Sequence, residues 1–179
     1  NHQGICPDGW HIPSIMEWKV LFKYVKENQG NENIGKVLKA KNNEAWPKLS
    51  EDNKPTDDYG FSVVYGSYIS YAGSHVRYNE YGHTETMFWT SLPDGPFTEY
   101  ASDVSFDSTN EVSFNANWRN AGEYVRCIED RDMDEGASPA PKKSSVYDSL
   151  ACTLTDLRDN QAYKTTVIGT QVWMAENLN

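Results

Sequence analysis

The sequence predicts an α+β fold, a mixed or antiparallel sheet with one main helix and much irregular loop. Three observations predict it. One stretch, from Ser14 to about Asn28, repeats apolar residues at helical spacing. Several short segments alternate like strands, among them 87–91, 100–106, 111–114, 124–128, 163–168 and 171–174. Residues 66–82 are rich in Tyr, Ser and Gly, which marks irregular loop with short strands.

Taken in order, GIC at 4–6 reads as a short apolar strand closing at Pro7, followed by a turn at Asp8-Gly9 and buried Trp10 and Ile12. Pro13 suits the first helical turn or the residue before it. Ser14 is a natural N-cap, and Glu17 three residues on completes a capping box. Ile15, Trp18, Leu21, Phe22 and Val25 then form one apolar face, with Gly30 as C-cap. Residues 33–41 read as a short strand or helical turn, 47–58 as a polar surface loop, and 59–65 as a core strand or loop. The strand at 87–91 leads to a turn at 93–96. Strands 100–106 and 111–114 are joined by a hairpin turn at Asp107-Ser108-Thr109-Asn110. A polar loop at 115–122 then enters the YVRCI segment at 124–128. Residues 130–153 are charged, then rich in Ser, Pro and Ala, and read as a linker. Residues 163–168 and 171–174, turning at Gly169, make a hairpin. An isolated hairpin is marginal in water, so this one must dock, on its own chain or on a neighbour by strand addition.

The chain has 179 residues, enough for one well-cored domain with linker to spare. Its net charge of −10 and pI of about 4.8 argue against a nucleic-acid or anionic-membrane partner. No run of about 18 apolar residues exists, so no membrane insertion by a helix is expected. Aromatics are 13 % of residues, with 11 Tyr, the pattern of surface-displayed folds with wet aromatic faces.

Two stretches, CPDGWHIPSIMEW at 6–18 and GEYVRCIED at 122–130, resemble signatures of the Fibrobacter succinogenes major paralogous domain. FWTS at 88–91 and DLRDNQAYKTTVIGTQVWMAENLN at 156–179 add to the resemblance, the latter resembling the family's opening. The order is unusual, because here that opening stands last. Residues 1–129 thus resemble the later part of one domain. Residues 154–179 resemble an opening hairpin, permuted in cis, taken from a next repeat, or donated to a neighbour. The resemblance implies a C-type-lectin-like fold related to formylglycine-generating enzymes, with the terminal hairpin beside 124–128. It also implies that Cys6 and Cys127 lie adjacent in the sheet as a disulfide. The other reading is a pair of buried free thiols, and Cys152 is left over.

For chemistry, His11 reads as structural beside the core rather than as ligand or base. His2, His75 and His83 lack partners at metal spacing, so no zinc is expected. Asp103, Asp107 and Glu111 match no EF-hand pattern and read as a solvated acidic face rather than a calcium site. No phosphate loop or nucleophile elbow is present. Only Cys127 lies where formylglycine-generating enzymes carry a reactive pair, so neither catalysis nor a cofactor is expected. The binding candidate is Ser102, Asp103 and Ser105 with Asn115, Asn117, Trp118, Arg119 and Asn120. Amides, a guanidinium and an exposed indole suit a sugar through stacking and paired hydrogen bonds. The opposing reading is a solvated loop with Trp118 tucked inward. The expectation is a secreted or cell-surface bacterial binding or adhesion domain for polysaccharide or a surface protein. The alternative is a structural subunit of an extracellular assembly that polymerises by exchanging its terminal hairpin.

Overall fold

The computed structural model describes residues 4–29, 34–41, 46, 54–66, 68–70, 72–73, 75–76, 85–93, 99–130 and 144–179. The Gly30 cap, the turn at 94–96, His2, His83, residues 47–53 of the polar loop at 47–58 and residues 77–82 of the irregular loop at 66–82 lie outside them. So does the linker at 131–143.

A short strand β1 (Trp10–His11) is followed by helix α1 (Ile15–Gln29) and helix α2 (Ile34–Leu38). Strands β2 (Tyr68–Ile69) and β3 (His75–Val76) form a small antiparallel pair. Next come β4 (Glu85–Pro93), β5 (Tyr100–Asp107) and β6 (Val112–Trp118), one antiparallel sheet in that order. The chain closes through β7 (Ile128–Glu129), β8 (Ser145–Asp148), β9 (Thr153–Asp156), β10 (Gln161–Ile168) and β11 (Gln171–Met174). Together with β1 these make a six-stranded sheet in the order β1-β7-β11-β10-β9-β8. Among the described residues the architecture is α+β, mostly antiparallel sheet with two helices.

Helix α1 starts where its cap dictates. The Glu17 amide donates to Ser14 Oγ at 3.3 Å, and the Ser14 amide donates back to Glu17 Oε2 at 2.7 Å. Reciprocal bonds of this kind satisfy amides that the first helical turn leaves open. The helix buries Trp18, Leu21, Phe22 and Val25. The Trp18 ring lies 4.7 Å from Trp173 of β11, 5.8 Å from Phe88 of β4 and 5.9 Å from Phe61. One helical side chain thus ties both large sheets to the loop at 57–65. Burying each such side chain contributes about 1.5–3 kcal/mol.

Strand β11 is covered on both faces because its side chains alternate. Trp173 points into the main core, where it stands opposite Ile128. Met174 points the other way, into a second core with Cys6, Cys127, Trp10, Leu154 and Tyr163. Cys6 and Cys127 are disulfide-bonded, S–S 2.06 Å and Cα–Cα 5.9 Å, and both are fully buried. Cys152 is free and exposed.

Four local expectations differ from the structure. Residues 4–6 are not a strand: Ile5 is exposed, and Pro7 turns the chain, its carbonyl accepting from Trp10 N at 3.0 Å. The 124–128 segment is a strand only from Ile128. Its backbone is shared between two partners, Tyr124 N bonding Met87 O at 3.1 Å and Cys127 O accepting from Met174 N at 3.0 Å. Strand β6 runs on to Trp118, so half of the expected polar loop is ladder, held by pairs from Phe106↔Val112 to Tyr100↔Trp118. The linker at 130–153 contains β8, which pairs with β9 through a turn in which Asp148 Oδ1 accepts from the amides of Leu150 and Ala151.

Candidate ligand-binding face

The register of β5 against β6 separates the eight candidate residues. Asp103 stands opposite Asn115 and Ala101 opposite Asn117, so Asp103, Ser105, Asn115 and Asn117 share one face of the sheet. Ser102 and Trp118 lie on the other face, Ser102 opposite Ala116 and Trp118 opposite Tyr100. Arg119 and Asn120 follow in the exposed turn beyond β6.

The first group is a polar cluster. Asn115 Nδ2 donates to Ser105 Oγ at 2.9 Å and, more weakly, to Asp103 Oδ1 at 3.4 Å. Asn117 Nδ2 donates to Glu123 Oε1 at 2.9 Å, while Glu123 Oε2 is buried with no hydrogen-bond partner among the described residues. Asp103 is 1 % exposed. Burial pushes its carboxyl up, the Asn115 bond pulls it back and the Glu85 charge adds to the rise, leaving it at about 6. Burial and then the Asp103 charge push Glu123 up to about 8, against the Asn117 bond. At neutral pH the pair therefore holds at least one proton, so this side offers both a donor and acceptors. The Tyr68 phenol is raised by burial and then by Glu85 and Glu123.

The second group is an aromatic plate at the end of the sheet. Trp118 is 36 % exposed, and its ring stacks on Tyr100 with centroids 4.4 Å apart. The indole is therefore neither tucked inward nor free. Arg119 Nε donates to the Tyr100 carbonyl at 3.0 Å, and its amide donates to Glu99 O at 2.9 Å. The turn is thus fixed against β5, with Trp118, Arg119 and Asn120 facing solvent.

Elsewhere, His11 bridges two carboxylates, Nε2 to Glu17 Oε1 at 2.8 Å and Nδ1 to Asp130 Oδ1 at 2.6 Å. The Glu17 bond raises its pKa most. It clasps the helix cap to the end of β7. Asp103, Asp107 and Glu111 do not converge: Asp107 Oδ1 is taken by the amides of Thr109 and Glu111. No group of three or more potential metal ligands occurs among the described residues. No helix among them is long and apolar enough to cross a membrane. The sequence missed Glu85, Tyr68 and Glu123, because no local period carries the strand pairing that brings them to Asp103. It also missed a cleft of about 650 Å³ between the loop at 60–64, strand β10 and the residues that follow β11, lined by Ser62, Gln161, Lys164 and Asn177.

The fold and this face define a disulfide-linked α+β domain with a fixed aromatic plate and a proton-holding polar cluster. The family described as the Fibrobacter succinogenes major domain matches residues 1–129, and the chain belongs to that family. No curated protein and no solved structure matches the chain.

Proposed function

We propose that the chain is a non-enzymatic, secreted or cell-surface binding domain of C-type-lectin-like fold that recognises polysaccharide at the tip of the β5–β6 sheet. The Tyr100–Trp118 stack carries this reading. An indole already ordered against a second ring offers a flat surface to the C–H face of a sugar at little entropic cost. Arg119 and Asn120 beside it supply hydrogen bonds to hydroxyls, and a buried disulfide suits an oxidising compartment. The test is retention on a panel of insoluble glucans, xylans and mannans. Trp118→Ala is expected to lose retention at least about tenfold with an unchanged circular dichroism spectrum. Failure of the wild type to be retained by any member, or retention by Trp118→Ala equal to wild type, overturns the proposal.

The alternative, a structural subunit polymerising by hairpin exchange, is favoured by one observation. Trp173, which fills the main core, is carried by a hairpin that reaches β7 by a single strand pairing. Light scattering over a hundredfold dilution decides it: a ladder of multiples supports exchange, and a monomer throughout rejects it.

A further inference from the structure

The buried amine of Lys39 has no part in the binding face. Lys39 follows α2 and is fully buried. Its Nζ lies over the Trp46 ring, 4.3 Å from the centroid, and donates to the main-chain carbonyl of Asp107 and to Asn110 Oδ1, the latter at 2.9 Å. Asn110 is 1 % exposed, so both side chains are shut away from water together.

The backbone holds them there. Asn110 has φ of 73°, the left-handed conformation that Asn tolerates at a turn. Its carbonyl accepts from Gly35 N at 3.0 Å. A Cβ on Gly35 would lie 2.5 Å from that same oxygen, so only glycine lets α2 come this close to the β5–β6 turn. Residues 71 apart in sequence are thereby fixed in contact.

We propose that Lys39 and Asn110 are the two halves of an intramolecular isopeptide bond. A carbonyl carbon lies about 1.2 Å from its oxygen, so the Asn110 amide carbon is within about 4.1 Å of Nζ. That is close to the separation from which reacting atoms need only a small displacement. Neutral Nζ attacks this carbon and the new C–N bond forms. The bond to Nδ2 breaks, one Nζ proton passes to Nδ2, and ammonia leaves. Atoms and charge balance, and no oxidant or co-reactant is needed. Burial lowers the amine to about 8, against the raising effect of Asp107, so about a tenth is neutral near pH 7. With water excluded, the product amide is protected from hydrolysis. The link would tie α2 to the hairpin that carries the binding face.

The experiment is the intact mass of the folded, thiol-reduced protein after incubation at pH 8, followed by peptide mapping. The expected result is a mass lower than that of the sequence by one ammonia, with a branched peptide joining the Lys39 and Asn110 segments. Lys39→Arg and Asn110→Gly should both show their full sequence masses, an outcome that does not depend on their folding. A wild-type protein at full sequence mass overturns the proposal, as does an ammonia loss that persists in Lys39→Arg. Neither outcome depends on whether the chain binds polysaccharide.

Discussion

Replacing Cys6 and Cys127 together by Ala tests how the two cores are held. The bridge spans 121 residues, and a cross-link closing a loop that long removes chain entropy from the unfolded state worth about 5 kcal/mol. Both sulfurs are fully buried beside Trp10, Leu154, Tyr163 and Met174, so their removal also leaves small cavities, about 1 kcal/mol in all. Residual structure in the unfolded chain offsets part of this, which makes a net loss of about 4–6 kcal/mol the expectation. For a chain of this length that corresponds to a fall of roughly 10–20 °C in Tm. If Lys39 and Asn110 are joined, the loop shortens to about 50 residues and the entropy term to about 4 kcal/mol, so the expectation survives. Urea unfolding followed by tryptophan fluorescence reads the loss, since Trp10 and Trp18 sit in the two cores. A loss below about 1 kcal/mol with an unchanged m-value would refute the reasoning. It would mean that the unfolded chain is already constrained to the same degree.

Two further outcomes follow from buried polar groups. Arg126 is 1 % exposed and donates to the carbonyls of Phe61 and Ser62 and to Asn177 Oδ1, stacking over Phe61 at 4.6 Å. Burial lowers its pKa, yet a guanidinium keeps its charge at neutral pH. Arg126→Met strands three acceptors and should destabilise by about 3 kcal/mol or more in urea unfolding; a cost under about 1 kcal/mol would show that water replaces the guanidinium. Glu123, pushed up to about 8 in the fold, ionises near 4.5 when unfolded. The folded state therefore holds a proton that the unfolded chain releases. This contribution is fully present below pH 4.5 and is lost as pH rises through about 8. Glu123→Gln should flatten the fall in Tm between pH 5 and 8 and raise Tm at pH 8; an unchanged slope would count against the buried-carboxyl account.

How much of this was legible differs from element to element. The capping box at Ser14 and Glu17 was visible because both partners lie within one turn, and the structure holds them at 2.7 and 3.3 Å. The hairpin at β10–β11 was visible because alternation flanks Gly169, whose φ of 63° the tight turn requires. Strand β8 was hidden because Ser145, Tyr147 and Asp148 look like linker until β9 pairs with them. The candidate site was half legible: Asn115 and Asn117 gave their polarity, while the ladder that extends β6 to Trp118 decided which face each one took.

By itself the sequence determined what depends on neighbours within a few residues: the start of α1, its apolar face, the turn at Asp107–Asn110 and the tight β10–β11 hairpin. Only the tertiary structure decided that Trp118 stacks on Tyr100 rather than sinking into the core, and that Asp103 and Glu123 crowd into a shared proton-holding cluster. It alone brought Lys39 to Asn110. The reason is physical. Helical spacing and turn chemistry are written in the local order of side chains, but strand register and burial are set by pairings between distant segments. A shift of one residue in such a pairing turns every side chain of the strand to the opposite face.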